Sequence, residues 1–135
     1  MFPVGDHPGL RFLDASGSGL TSEDVVNNTM MIHLSLAQCP LTNLSRLMFP
    51  NLHYLDLSRN KLASQEVEHF SRLSALQFLN LASNPLMLLF HAKSATSNIS
   101  SSLTLDLSVL HFTKLMTLNL SDSGVEKVVG TVSSP

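Results

Sequence analysis

Little in this chain can support covalent or metal chemistry. Its 135 residues include a single cysteine, Cys39, which excludes an internal disulfide and any multi-cysteine zinc site. Charged residues make up 13%, about half the usual share. The net charge of -2 leaves no basic footprint for nucleic acid or an anionic membrane. Tryptophan is absent and tyrosine occurs once, at Tyr54. No window reaches the roughly 18–20 apolar residues of a spanning helix; the run from Pro85 to Phe90 is broken by His91 and Lys93. The amino terminus, MFPVGDHPGL, has neither the basic start nor the apolar core of a signal peptide. Disorder of the whole chain is excluded by a hydrophobic content of 44%, enough to offset chain entropy in one domain-sized unit.

Leucine is the largest single part of that apolar content, with 26 residues beside 20 serines. Its placement is periodic. LRFLDASGSGL (10–20), MIHLSLAQCPL (31–41), LHYLDLSRNKL (52–62), LQFLNLASNPL (76–86) and LMTLNLSDSGV (115–125) share one eleven-residue frame. Apolar residues hold its first, fourth, sixth and eleventh places. The alternation at the fourth and sixth places is the period of a strand with one buried face. A strand so short cannot bury that face alone, so successive frames must stack and share a core.

The frame resembles the leucine-rich repeat, LxxLxLxxNxL, from about residue 10 to 125. The resemblance implies an α/β fold, a right-handed solenoid or horseshoe. Its short-stranded parallel sheet lines the concave face, and the returns are loop, 3₁₀ or short helix. Five repeats start near 10, 31, 52, 76 and 115, with a polar loop inserted near 91–102, in a single array over 1–135. LTLDL (103–107) reads better as part of that long return than as a rung of its own. Leu13, Leu34, Leu36, Leu55, Leu57, Leu79, Leu81, Leu118 and Leu120 are expected inside. Ser18, Cys39, Asn60, Asn84 and Ser123 share the ninth place, where the family forms a hydrogen-bonded ladder in the turn. Cys39 is therefore expected to be structural. Leu44, Leu47 and Phe49, then Val67, Phe70 and Leu73, fit single helical or 3₁₀ turns on the return side.

No positioned catalytic set is present. His7, His33, His53, His69, His91 and His111 are scattered without a ligand-spaced pair, and no HExxH or GxSxG occurs. Ser16-Gly17-Ser18-Gly19 contains GxG but lacks the further glycine and the basic residue of a phosphate cradle, so it reads as a turn. Asp14 and Asp56 lie two rungs apart and are not expected to share a metal. No catalytic residue, metal, cofactor or small-molecule substrate is assigned.

Residues pointing away from the core tell more. The third place reads Phe12, His33, Tyr54, Phe78, Thr117, four rings in five. The fifth reads Asp14, Ser35, Asp56, Asn80, Asn119, all polar, and Arg59 stands at the eighth. Rings beside polar groups form a surface able to bind a protein or peptide; the same rings can also stabilise the sheet by packing across rungs. The expected ligand-binding set is Phe12, Asp14, His33, Tyr54, Asp56, Arg59, Phe78 and Asn80.

Sequons occur at Asn27, Asn43, Asn98 and Asn119. The first three fall in returns, where a glycan fits; Asn119 lies on a strand and is expected to stay unmodified. The 52–75 unit, with its VEHFSRLSAL return, is similar to extracellular leucine-rich repeats, among them G-protein-coupled receptors of the relaxin and glycoprotein-hormone type and Toll-like receptors. That likeness implies a non-catalytic interaction module of a receptor ectodomain on the outer face of the plasma membrane, signalling on capture of a protein or peptide. The alternative is a cytoplasmic scaffold or adaptor using the same face. Pro135 stands where Pro50 stands before the frame at Leu52, and too little precedes Leu10 to cap it, so the array is expected to be cut at both ends, with apolar residues exposed on the end rungs.

Overall fold

The computed structural model describes residues 7–25, 27–63, 68–86, 103–106 and 112–129, giving only the backbone for 68, 103–106 and 126–129. Five three-residue strands coincide with the frame: β1 (Phe12–Asp14), β2 (His33–Ser35), β3 (Tyr54–Asp56), β4 (Phe78–Asn80) and, after the long return, a strand at Thr117–Asn119. A one-turn helix α1 (Glu68–Ser71) precedes β4, and β5 (Leu103–Asp106) lies within the return. The Thr117–Asn119 strand is β6, and β7 (Val125–Val129) follows it.

The order β1-β2-β3-β4-β6 makes an open parallel sheet. Its register has no slip, since the fourth-place leucines align as Leu13, Leu34, Leu55, Leu79 and Leu118. A slip of one residue would turn every leucine outward, so the shared buried face holds the register. Parallel bonding continues past the strands: Leu36 N–H donates to the Asp56 carbonyl, Leu57 to Asn80 and Leu81 to Asn119, each within 2.9 Å.

The sixth- and eleventh-place leucines close the core with Phe49, Phe70, Leu73 and Phe112 from the return side. Phe70 meets Phe112 edge to face, centroids 6.0 Å apart, a favourable arrangement of ring quadrupoles. Single turns end the returns as expected: Leu47 N–H bonds the Leu44 carbonyl, and Leu73 bonds Phe70. Val67 lies outside the described residues.

Burial at the end rungs departs from the expectation that Leu13, Leu118 and Leu120 lie inside. Leu34, Leu36, Leu55, Leu57 and Leu79 are fully enclosed, whereas Leu13, Leu118 and Leu120 are only half-buried. An inward side chain needs a rung on each side, and the outermost rungs of the sheet have one. The segment at 103–106 stands outside the five-stranded sheet, as expected, but it is not plain return. Leu103–Asp106 is a strand, paired in parallel with β7 in a separate two-stranded sheet. A register shift lies between Leu103 and Thr104. Alternating Leu-Thr-Leu-Asp suits a strand without the ninth- and eleventh-place residues of the frame, which is why the frame passed over it. The loop at 91–102 lies outside the described residues.

Candidate protein-binding surface

The turn after each strand determines how the outward side chains are held. At the eighth place Gly17, Gln38, Arg59, Ser83 and Asp122 all have φ between 53° and 68°, the left-handed region that side chains ordinarily avoid. Four of the five carry a side chain, so the stacked turns impose this conformation rather than the residue preferring it. The reversal is held from within by the ninth place. Asn60 Nδ2 donates to the carbonyls of Leu36 (2.9 Å) and Leu57 (2.8 Å), while its Oδ1 accepts from Leu41 N–H. Asn84 repeats this one rung on, with Leu57, Leu81 and Leu62. The Cys39 thiol is buried and points at the Ala15 carbonyl, 3.4 Å away, so it belongs to this ladder.

The fifth place holds the turn from outside. Oδ1 of Asp14, Asp56, Asn80 and Asn119 each accepts the backbone N–H two residues on, from Ser16, Ser58, Ala82 and Ser121, at 2.9–3.1 Å. Ser35 has no such bond; its hydroxyl meets that of Ser16 at 2.7 Å.

Phe12, His33, Tyr54, Phe78 and Thr117 are direct register partners. His33 and Tyr54 stack with centroids 4.0 Å apart and planes 4° from parallel, Tyr54 and Phe78 at 4.4 Å and 4°. Phe12 is splayed, 6.2 Å from His33 and tilted 35°. The cross-rung stacking foreseen for these rings is therefore present. The three inner rings turn their faces to one another and their edges outward, while Phe12 remains 65% exposed.

Two carboxylates set the field here. Hydrogen bonds from Ser16 hold Asp14 below the ordinary carboxylate value, helped slightly by nearby His33. Burial raises the Tyr54 phenol, and the negative charges of Asp56 and Asp14 raise it further. Of the expected set, Phe12, His33, Tyr54 and Phe78 form the ring row, and Asp14, Asp56 and Asn80 line the column beside it. Arg59 is exposed at the eighth-place margin. The frame missed Met116, 82% exposed next to Thr117; it occupies the second place, where Arg11, Ile32, His53 and Gln77 show no pattern. Among the described residues no group of three or more His, Cys, Asp or Glu side chains is placed to hold a metal, and no helix is long and apolar enough to cross a membrane.

Residues 31–86 match the family model of the leucine rich repeat. The match spans the second, third and fourth frames, the part of the chain whose strand leucines are fully buried. Leucine-rich repeats generally mediate protein–protein interaction and are typically non-catalytic. Comparison with curated proteins and with solved structures finds no match.

Of the sequons, Asn27 is exposed and Asn43 half-buried. Asn43 Oδ1 accepts from both the N–H and the hydroxyl of Ser45. Asn119 makes the same pair of bonds with Ser121 on the sheet face. Asn98 lies outside the described residues.

Proposed function

We propose that this leucine-rich repeat array is the ligand-capturing part of a cell-surface receptor ectodomain, binding a protein or peptide on its ring-lined concave face and contributing to signalling. The ring row carries the reading. Rings already ordered by stacking lose little conformational entropy on binding, and aromatic side chains are favoured contact residues. Phe12, Tyr54 and Phe78 are the contact groups, Asp14, His33, Asp56, Arg59 and Asn80 provide polar registry, and Asn27, Asn43 and Asn98 are the glycan acceptors.

Two measurements test this. Secreted from a eukaryotic host behind a signal peptide, the folded chain should lose mass on endoglycosidase treatment, and Asn27→Gln with Asn43→Gln should reduce that loss. A folded product only in the cytosol would favour an intracellular scaffold. In a displayed random-peptide library, selected ligands should bind Phe12→Ala and Tyr54→Ala at least about fivefold more weakly. Selected ligands indifferent to both substitutions would place binding elsewhere.

A further inference from the structure

Resting on that reading of the face, the chemistry of its partner can be narrowed. Charge is the first observation. Asparagine at Asn80 and Asn119 makes the same turn bond that aspartate makes at Asp14 and Asp56. The turn needs an oxygen acceptor and does not need a negative charge. The negative charges of the first and third rungs are thus not required by the fold. Both reach the ring row, since Tyr54 feels each of them. The ring column and the polar column beside it contain no lysine or arginine, and Arg11 and Arg59 stand at the margins.

Geometry is the second observation. Phe12 is the one ring of the row tilted away from its neighbour and is 65% exposed, and Asp14 follows two residues on, on the same face of β1. A guanidinium is the group that satisfies both neighbours: it stacks flat on an aromatic face and forks onto a carboxylate. Asp14 and Asp56 are in register on either side of Ser35, two strand spacings or about 9.6 Å apart. A polyproline-type segment repeats a side-chain direction every third residue, after about 9.3 Å.

We propose that the face binds an extended basic segment of a partner protein, with one arginine against Phe12 and Asp14 and a second, three residues away, at Asp56.

The probe is a fluorescein-labelled Gly-Arg-Pro-Pro-Arg-Gly peptide, titrated into the full chain by fluorescence anisotropy beside its lysine and glutamate counterparts. The arginine peptide should bind most tightly, the lysine peptide more weakly and the glutamate peptide not at all, and raising salt should weaken binding. Asp14→Asn with Asp56→Asn should weaken the arginine peptide about tenfold or more, with only a small fall in melting midpoint because asparagine keeps the turn bond and loses only its charge-assisted part. Phe12→Ala should weaken it as well. Undiminished binding by the Asp→Asn double variant, or a preference for the glutamate peptide, overturns the proposal. Library ligands that lose affinity on Phe12→Ala and Tyr54→Ala yet contain no basic residue overturn the basic partner and leave the face reading intact. Library ligands indifferent to those two substitutions overturn both.

Discussion

Single side chains in this molecule act mostly by satisfying backbone. Asn60 is 7% exposed and serves three carbonyls and one N–H. Asn60→Ala strips this partner from the Leu36 carbonyl and the Leu41 N–H, while the Leu57 and Ser58 carbonyls keep bonds from Asn84 Nδ2 and Gln38 N–H, so a loss of about 2–4 kcal/mol is expected in urea unfolding. Cys39→Ala, at the same place in its rung, should cost less, because a thiol is a weak donor. Asp24 offers a pH test. Its carboxylate accepts from Thr21 N–H at 2.8 Å and the Thr21 hydroxyl at 2.9 Å, and these bonds hold it below its ordinary value. A depressed carboxylate stabilises the fold at all pH values above its unfolded pKa, and that contribution disappears as pH falls through the folded value. The melting-point gap between wild type and Asp24→Ala should therefore be constant from neutral pH to about 5 and close below about 4. A gap that stays open in strong acid would show that the charge is not what matters.

At the scale of elements, three-residue strands persist because β2, β3 and β4 are held on two edges, β1 and β6 on one, and each by its inward leucine. The ring row adds to this. An outward side chain has little to lose by truncation when only its position in the frame is considered, and Tyr54→Ala then reads as harmless to the fold. The stack changes that expectation, since Tyr54 is half-buried between His33 and Phe78. Two stacked pairs add about 0.5–1.5 kcal/mol each. Tyr54→Ala should thus cost about 1–3 kcal/mol in chemical denaturation, and Phe12→Ala appreciably less, because Phe12 is largely exposed. Equal costs for the two would mean that stacking contributes nothing.

Across the whole molecule, one continuous core joins the first rung to the fifth, and burial grades from its middle outward. Leu57 is fully enclosed, and Leu57→Ala should cost about 2–5 kcal/mol through lost transfer and a residual cavity. Leu118 is half-buried on the outermost rung, so Leu118→Ala should cost about half as much. Differential scanning calorimetry of the two variants measures this, and similar losses would contradict the graded core.

What the sequence determined by itself is whatever repeats locally. Leu-x-Leu at a period of two places Leu34 and Leu36, or Leu55 and Leu57, on the buried side of a strand. A polar residue three places after the sixth-place leucine meets the turn carbonyls, as Asn60 and Asn84 do, because the turn geometry is the same in every rung. The ring column follows from the same alternation, and so most of the candidate site was legible before any coordinates. Tertiary structure decided whatever depends on neighbours about twenty residues away. Close stacking of His33, Tyr54 and Phe78 with Phe12 splayed, and the half-burial of Leu13, Leu118 and Leu120, depend on how many rungs flank each side chain. The pairing of β5 with β7 joins segments whose own patterns do not name each other. The left-handed turns at Gln38, Arg59, Ser83 and Asp122 run against residue preference and are sustained by the hydrogen bonds of adjacent rungs, which no single stretch of sequence displays.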